Sequence, residues 1–326
     1  MTEQESFVPP LARHLISIDD LTDRDLGAIV ARGADFAAAR AAAVPDPVRP
    51  LAGLVAGMYF ARTSTRTRTA FSAGALRLGA SVIAYGPGDL QTNTGESVED
   101  TGRVLAGMLD ILVARTSGPT AEMRAWARQQ RMATINAMSA EEHPTQALAD
   151  LTTMVQRFGR LDDLRVLYIG EGNNTAVALA RALPRFKRVT LELRTPPGYG
   201  LPPEVRARAE AVAAANGGAL VERHDMAALP ADVDVVYTTR WCTTGTAKPD
   251  PAWRDGFAPF RVTEALWAVS PGAVFMHDLP AHRGEEVTAE VLDGPASIAF
   301  AQAENKMYSA MAVLEWSRSS AAEDGS

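Results

Sequence analysis

Short, nearly unbroken apolar runs alternate along this chain with longer stretches in which apolar residues recur every three or four positions. "LAGLVAGMYF" (51–60), "ASVIAYG" (80–86), "DILVART" (110–116) and "MATINAMS" (132–139) have the length and composition of strands buried on both faces. Helical stretches lie around and between them. "SIDDLTDRDLGAIVARGADFAAARAAA" (17–43) reads as one helix, acidic in its first turns, and the three prolines of "VPDPVRP" (44–50) break it. Phe71, Ala75 and Leu78 fall at i, i+4 and i+7, which predicts a helix beginning near Thr67 or Arg68. "ESVEDTGRVLAGML" (96–109) and "TAEMRAWARQQ" (120–130) read as helices, and "AEEHPTQALADLTTMVQRFG" (140–159) as a loop followed by a long helix. The second half continues the alternation. "RVLYIG" (165–170), "RVTLEL" (188–193), "DVDVVYTT" (232–239) and "GAVFMHD" (272–278) read as strands. "TAVALARALPRF" (175–186), "PPEVRARAEAVAAANG" (202–217), which has prolines at its start and glycine at its end, and "AENKMYSAMAVLEW" (303–316) read as helices.

Strands alternating with helices predict an α/β protein with parallel sheets flanked by helices. At 326 residues the chain is long enough for two such domains. The boundary falls inside the 145–158 helix, giving 1–148 and 149–302, with a final helix over about 303–318 and a frayed tail over 319–326. No internal repeat of fixed period appears.

Hydrophobic residues make up 47% and charged residues 22%, with a net charge of −7. That balance argues against general binding to nucleic acid or to an anionic membrane, both of which need broad positive fields. Cys242 is the only cysteine, so neither an internal disulfide nor a cysteine-based metal site is expected, in keeping with a reducing cytoplasm. "MTEQESFVPPLARHL" is not a signal peptide, and no apolar run reaches the 18 or so residues of a membrane span.

Against this acidic background, Ser64-Thr65-Arg66-Thr67-Arg68 gathers hydroxyls and guanidinium groups between an apolar strand and a helix start. Unpaired backbone N–H groups and the helix dipole already favour an anion there. The hydroxyls add donors, and Arg66 adds a planar fork suited to phosphate. The plainer alternative is a capped helix with arginines on a solvated face. In His143-Pro144-Thr145-Gln146, Pro144 suits a first helical turn, placing His143 near the N-cap and Gln146 within the first turn. Both side chains then sit at the sheet edge where α/β proteins bind ligands, able to donate to a polarised carbonyl oxygen; a histidine capping its own helix is the alternative. His277-Asp278-Leu279-Pro280 ends another strand, and a buried Asp278 needs a cation facing it. Gly170-Glu171-Gly172, with Glu192 ending the next strand, is a partial dinucleotide fingerprint whose third glycine position holds Thr175. A tight turn accounts for those glycines equally well.

Taken together, Ser-Thr-Arg-Thr-Arg, His-Pro-Thr-Gln and a late His-x-Leu-Pro resemble the aspartate/ornithine carbamoyltransferase family over nearly the whole chain. "GPGDLQTNTGESVEDTGRVL", Arg115 after "DILVA", and "IGEGNN" add to the likeness. "LPAHRGEEVTAEVLDGPAS" and the "AEN" before Lys306 look like the ornithine branch. The resemblance implies a carbamoyl-phosphate domain followed by an amine-substrate domain, with the active site in the cleft between them and the final helix packing back on the first. It implies that Ser64, Thr65, Arg66 and Thr67 hold phosphate, and that Arg115, His143 and Gln146 grip the carbamoyl oxygen. Leu279 and Lys306 join the carbamoyl-phosphate set, and Gln91 lies on a loop reaching a neighbouring subunit's site in a homotrimer. Asn174, Thr239, Arg240, Thr243, Thr244 and Asp278 fall on the amine side, with Asp278 also among the catalytic groups. No metal and no organic cofactor is implied.

Four positions depart from the ornithine pattern. Asp278 stands where that branch has cysteine. Thr239 replaces an aspartate, with Thr243-Thr244-Gly245 in place of Ser-Met-Gly. Lys306 replaces an arginine, keeping charge but losing the bidentate fork. The polar residue usual before Gly95-Glu96-Ser97 is absent. A carboxylate lost at 239 and gained at 278 suggests relocation, and hence a small amine other than ornithine, such as a shorter diamino acid. The rival within the family takes Thr239-Arg240 as the aspartate branch's Thr-Arg, with Arg240 holding a substrate carboxylate. A dinucleotide-binding protein is the remoter alternative.

Overall fold

The structure, a computed structural model, describes residues 12–42, 49–243 and 245–319. Most of "VPDPVRP", the start of "MTEQESFVPPLARHL", the end of the tail and Thr244 therefore lie outside the described residues.

The first half forms β1 (Val55–Phe60), β2 (Ser81–Tyr85), β3 (Ile111–Arg115) and β4 (Ala133–Met138), a parallel sheet in the order β2-β1-β3-β4. Around it lie α1 (Asp23–Ala41), α2 (Arg66–Arg77), α3 (Val98–Ala106), α4 (Thr120–Trp126) and α5 (Pro144–Phe158). The second half holds β5 (Arg165–Ile169), β6 (Thr190–Arg194), β7 (Ala219–Arg223), β8 (Val235–Thr238) and β9 (Val274–His277), parallel in the order β7-β6-β5-β8-β9. Its helices are α6 (Asn174–Ala182), α7 (Pro203–Ala215), α8 (Trp253–Phe257), α9 (Ala289–Leu292) and α10 (Ala299–Trp316). The two-sheet α/β architecture is the one the alternating pattern predicts.

Helices cover both faces of the sheets, so the edge strand β4 and the interior strand β8 are both buried at every position. α10 leaves the second sheet and packs against α1, α2 and α5, its buried face running from Ala299 to Leu314. Each fully buried Leu, Val or Phe in this seam contributes about 1.5–3 kcal/mol.

Register decides what meets what. Phe60 pairs with Arg115, and Arg115 with Met138, so the three turns after β1, β3 and β4 lie side by side. Ile169 pairs with Thr238, and Thr238 with His277, so the turns after β5, β8 and β9 do the same. These are carboxyl ends of parallel strands, where open α/β sheets take their ligands.

Some elements differ from the sequence expectation. The 17–43 stretch is a 3-10 turn (Ile18–Asp20) followed by α1, because it carries two N-cap residues. Ser17 caps the turn, and the Thr22 hydroxyl accepts from Asp25 N (3.0 Å) to start the helix. α2 begins at Arg66, α10 begins four residues before Ala303, and α6 gives way at Ala182 to a 3-10 turn containing Pro184. β7 was not legible: it is an edge strand with Glu222 and Arg223 in it and only Leu220 fully buried.

Candidate functional site

Three helix N-termini converge on one cavity of about 280 Å³ between the two sheets. α2 brings Ser64, Thr65, Arg66 and Thr67, α5 brings His143 and Gln146, and α6 brings Asn173, Asn174 and Thr175. Neither Thr65 nor His143 caps its own helix with its side chain, so those ends keep unpaired N–H groups and positive dipole ends facing the cavity. This removes the reading of His143 as a self-capping residue. At α6, Asn173 does cap, its Oδ1 accepting from Thr175 N (3.0 Å) and Ala176 N (3.1 Å).

Arg66, Arg115, Arg240 and Lys306 all line the cavity, and Asp278 is the one carboxylate among its lining residues. The chain thus concentrates cations at one place despite its acidic total. Burial pushes Arg115 down to about 10, with Asp278 opposing that shift and Arg66 adding to it. Arg66 is lowered by burial too, again opposed by Asp278. Both guanidinium groups remain charged at neutral pH. Arg115 Nη1 donates to Thr67 Oγ1 (3.2 Å) and lies 3.5 Å from His143 Nε2. His143 Nδ1 lies 3.3 Å from Thr145 Oγ1. Burial, reinforced by Lys306 and Arg115, holds His143 well below its ordinary value, so its ring is neutral.

Lys306 reaches the cavity from α10. Its Nζ donates to Gln146 Oε1, and Gln146 Nε2 donates to Asp150 Oδ1 (2.8 Å). Gln302 Nε2 (2.7 Å) and Tyr237 OH (3.0 Å) also donate to Asp150, which is fully buried. Burial raises the Asp150 carboxyl and lowers the Lys306 ammonium. The network ties α5, β8 and α10 together and fixes the Gln146 amide. Asp150 escaped the sequence reading, although its i+4 spacing from Gln146 on an otherwise apolar helix face was a usable signal.

Asp278 Oδ2 accepts from Thr175 Oγ1 (3.1 Å), while Oδ1 is buried with no hydrogen bond among the described residues. Its neighbour His277 cannot supply one. His277 Nδ1 accepts from Leu279 N (2.8 Å), and Nε2 faces Glu286 Oε1 (3.1 Å). A buried carboxylate oxygen without a donor, on a residue that lines a cavity, is an acceptor still to be satisfied. Thr175 is the second residue the sequence reading missed; it was weighed only as a failed glycine position.

The remaining predicted residues sort clearly. Leu279 lines the cavity. Asn174 lines it too, but its Nδ2 donates to Ser139 O (2.8 Å). Thr239 Oγ1 accepts from Asn173 Nδ2 (3.0 Å) and sits 3.2 Å from Tyr168 OH, so it is already engaged in the cavity wall. Thr243 lines the cavity with its hydroxyl buried and unbonded among the described residues. Gln91 sits on an exposed 3-10 turn outside the cavity of its own chain. Thr244 lies outside the described residues. Arg68 is not a lining residue; its guanidinium lies 5.1 Å over the Phe60 ring.

The dinucleotide alternative loses its geometry. A Cβ on Gly172 would come within 2.4 Å of the Gly200 carbonyl carbon, so close backbone packing explains that glycine. Glu192 Oε1 accepts from the buried Arg194 Nε (2.7 Å) instead of standing free for a ribose. Trp241 is buried against Phe257 as packing. No described helix is long and apolar enough to cross a membrane.

Comparison with known proteins agrees with this geometry. The family profile "Aspartate/ornithine carbamoyltransferase, carbamoyl-P binding domain" matches residues 13–156, and the "Asp/Orn binding domain" profile matches 162–317. The chain is 40% identical over 268 residues to an ornithine carbamoyltransferase of Symbiobacterium thermophilum, covering 81% of this chain and 85% of that protein. It is 37% identical over 308 residues to one of Acidothermus cellulolyticus, covering 94% and 96%. The solved ornithine carbamoyltransferase of Pyrococcus furiosus superposes with a TM-score of 0.86 at 35% identity, covering 94% of this chain and 97% of that one. With the two profiles matching 13–156 and 162–317 and the cationic cavity between the two sheets, the chain belongs to the aspartate/ornithine carbamoyltransferase family and is a carbamoyltransferase.

Proposed function

We propose that this protein transfers the carbamoyl group of carbamoyl phosphate to the amino group of a small amino acid carrying a second amine, shorter than ornithine, and releases phosphate. The observation that carries this reading is Asp278, the one carboxylate among the residues lining a cavity that also holds Arg66, Arg115, Arg240 and Lys306, with its Oδ1 unbonded among the described residues. In this reading residues 1–148 with the final helix from about 303 form the carbamoyl-phosphate side, and 149–302 the amine side.

In this reading the N-terminus of α2, the hydroxyls of Ser64, Thr65 and Thr67, and the Arg66 fork receive the phosphate. For this step the neutral ring takes the tautomer with its proton on Nε2, the Thr145 hydroxyl then donating to Nδ1. Arg115 Nη1 and His143 Nε2, 3.5 Å apart, then aim two donors at one carbonyl oxygen. Gln146, held by Asp150 and Lys306, orients its amide beside them. As the amine nitrogen attacks the carbamoyl carbon, negative charge builds on that oxygen. The bond from carbon to the phosphate oxygen breaks, and the charge passes to the leaving phosphate. Donors fixed in advance at both places lower the barrier, each by about 3–4 kcal/mol where such groups have been removed. Asp278 orients the incoming nitrogen and accepts its proton. Arg240, lining the cavity beside Thr239 and Thr243, holds the substrate carboxylate. That placement also favours the second reading, an acidic amine of the aspartate type.

Ile83 on β2, and Val104 and Met108 at and just after the end of α3, are exposed apolar side chains of the first half. They support burial against further copies in a homotrimer, with Gln91 reaching a neighbour's cavity. The lone thiol of Cys242 suits a cytoplasmic setting. The test is a screen of amines with carbamoyl phosphate, scoring the carbamoylated products. Diaminopropionate or diaminobutyrate should exceed ornithine in kcat/KM. Ornithine or aspartate turned over as efficiently as any shorter diamine would overturn the substrate assignment.

A further inference from the structure

The loop from Thr239 to Pro251 joins β8 to α8, and it brings Thr239, Arg240 and Thr243 to the cavity. Its far end is fastened in an unusual way. The Lys248 ammonium lies 4.2 Å from the Tyr199 ring, 4.7 Å from Phe257 and 5.4 Å from Trp253. The three rings support one another: Phe257 packs edge-on against Tyr199 (4.7 Å) and against Trp253 (5.3 Å). Lys248 Nζ also donates to Glu171 Oε1 (2.6 Å), and its side chain is only 4% exposed. An aromatic cage closed by a carboxylate is the chemistry that selects an alkylammonium. Here the ammonium belongs to the chain itself. Glu171 in turn belongs to the turn after β5 that leads to Asn173 and Asn174 at the cavity.

We infer that Lys248 is a positioning residue: its caged ammonium pins the 239–251 loop to the β5 turn and so sets the amine-recognising wall of the cavity. The inference rests on the proposed reading that this wall meets the amine. Trp241, buried against Phe257 at 5.6 Å, anchors the near end of the same loop to the same cluster. The cavity-lining stretch 239–243 is thus held from both sides. The carbamoyl-phosphate groups Ser64, Thr65, Arg66 and Thr67 stand on the other sheet's helix, so the pin bears on one substrate and not the other. A surface lysine offers no such split, because its exposed ion pairs contribute little.

Two assays test this on the full chain. The first is limited trypsin digestion at Arg240. Lys248 precedes Pro249 and is not itself a cleavage point. Lys248→Met, and the double change Lys248→Met with Glu171→Gln that leaves no lone buried carboxylate, should both be cut at Arg240 at least tenfold faster than the parent. Lys248→Arg should stay within about threefold. The second is the KM split. In the same two variants KM for the amine found by the screen should rise tenfold or more, while KM for carbamoyl phosphate stays within twofold. Parent-like digestion of the double variant overturns the inference, as does an equal rise of both KM values accompanied by a lower melting temperature. If the parent turns over no amine, the proposed function has failed on its own account, and the digestion arm still decides whether Lys248 pins the loop.

Discussion

Replacing Asp278 by Asn tests the centre of the site with almost no change in shape. The Asn Oδ1 still accepts from Thr175 Oγ1, so the side chain keeps its anchor at 3.1 Å. Only the charge goes, and the two substrates should respond in opposite directions. A hydrogen bond from the incoming nitrogen to the charged carboxylate contributes about 1.5–3 kcal/mol. Its loss lowers kcat/KM for the amine by roughly 10- to 150-fold, at 1.4 kcal/mol per factor of ten. Carbamoyl phosphate gains instead. Asp278 is the charge that favours the protonated forms of Arg66, Arg115 and Lys306. It therefore neutralises part of the field that a dianion would use. At an effective dielectric of 20, two like unit charges repel by about 4 kcal/mol at 4 Å and by about 2 kcal/mol at twice that separation. Discounting for the less protonated Lys306 leaves about 1 kcal/mol, a roughly fivefold tighter Kd. Calorimetry with carbamoyl phosphate and steady-state kinetics with the best amine, both at pH 7, measure the two numbers. Equal losses in both would refute the assignment of Asp278 to the amine, and an unchanged kcat/KM would show that the carboxylate has no part in the transfer.

Further outcomes follow from neighbouring groups. Arg66→Ala removes two charge-assisted bonds to phosphate, about 3–5 kcal/mol together, and should weaken carbamoyl phosphate binding between a hundredfold and a few thousandfold by calorimetry. Arg240→Ala should raise KM for the amine tenfold or more while leaving carbamoyl phosphate binding unchanged; an unaltered KM would mean that no substrate carboxylate sits there. Burial lowers Lys306 from its ordinary 10.5, and a bound dianion raises it again, so binding takes up a proton. Affinity is then full below the free protein's lowered value and declines as pH rises through it. Calorimetry in buffers of different ionisation enthalpy reads the uptake, and Lys306→Arg, which stays charged, should flatten the profile. Gly172→Ala drives a methyl against the Gly200 and Leu201 backbone at 2.4–2.6 Å, and should cost about 1–3 kcal/mol in thermal or denaturant unfolding.

Much of this protein is written locally. Apolar runs such as "DILVA" and "MATINAM" have one use, as strands covered on both faces: β3 is buried from Ile111 to Ala114 inside its sheet, and β4 is buried at every position at the sheet's edge. Ser64-Thr65-Arg66-Thr67 and His143-Pro144 carry their own geometry, because a helix start fixes where its first side chains and N–H groups point. What the chain could not spell out by itself is adjacency. Arg115 meets Thr67 because β3 pairs with β1, and Asp278 meets Thr175 because β9 reaches β5 through β8; neither fact has a signature in spacing. Lys306, 160 residues from Gln146, joins it only because α10 folds back across α5. Thr239 read as a lost substrate contact, and only packing showed its hydroxyl committed to Asn173 and Tyr168. Lys248 gave no signal at all, since a lysine beside Pro249 reads as a solvated turn until Trp253 and Phe257 of α8 and Tyr199 from a distant segment close around it. Residue types and helix starts are properties of neighbours along the chain. Charge neutralisation, depressed ionisation and a shared cavity depend on distances between segments, and those exist only once both sheets have packed.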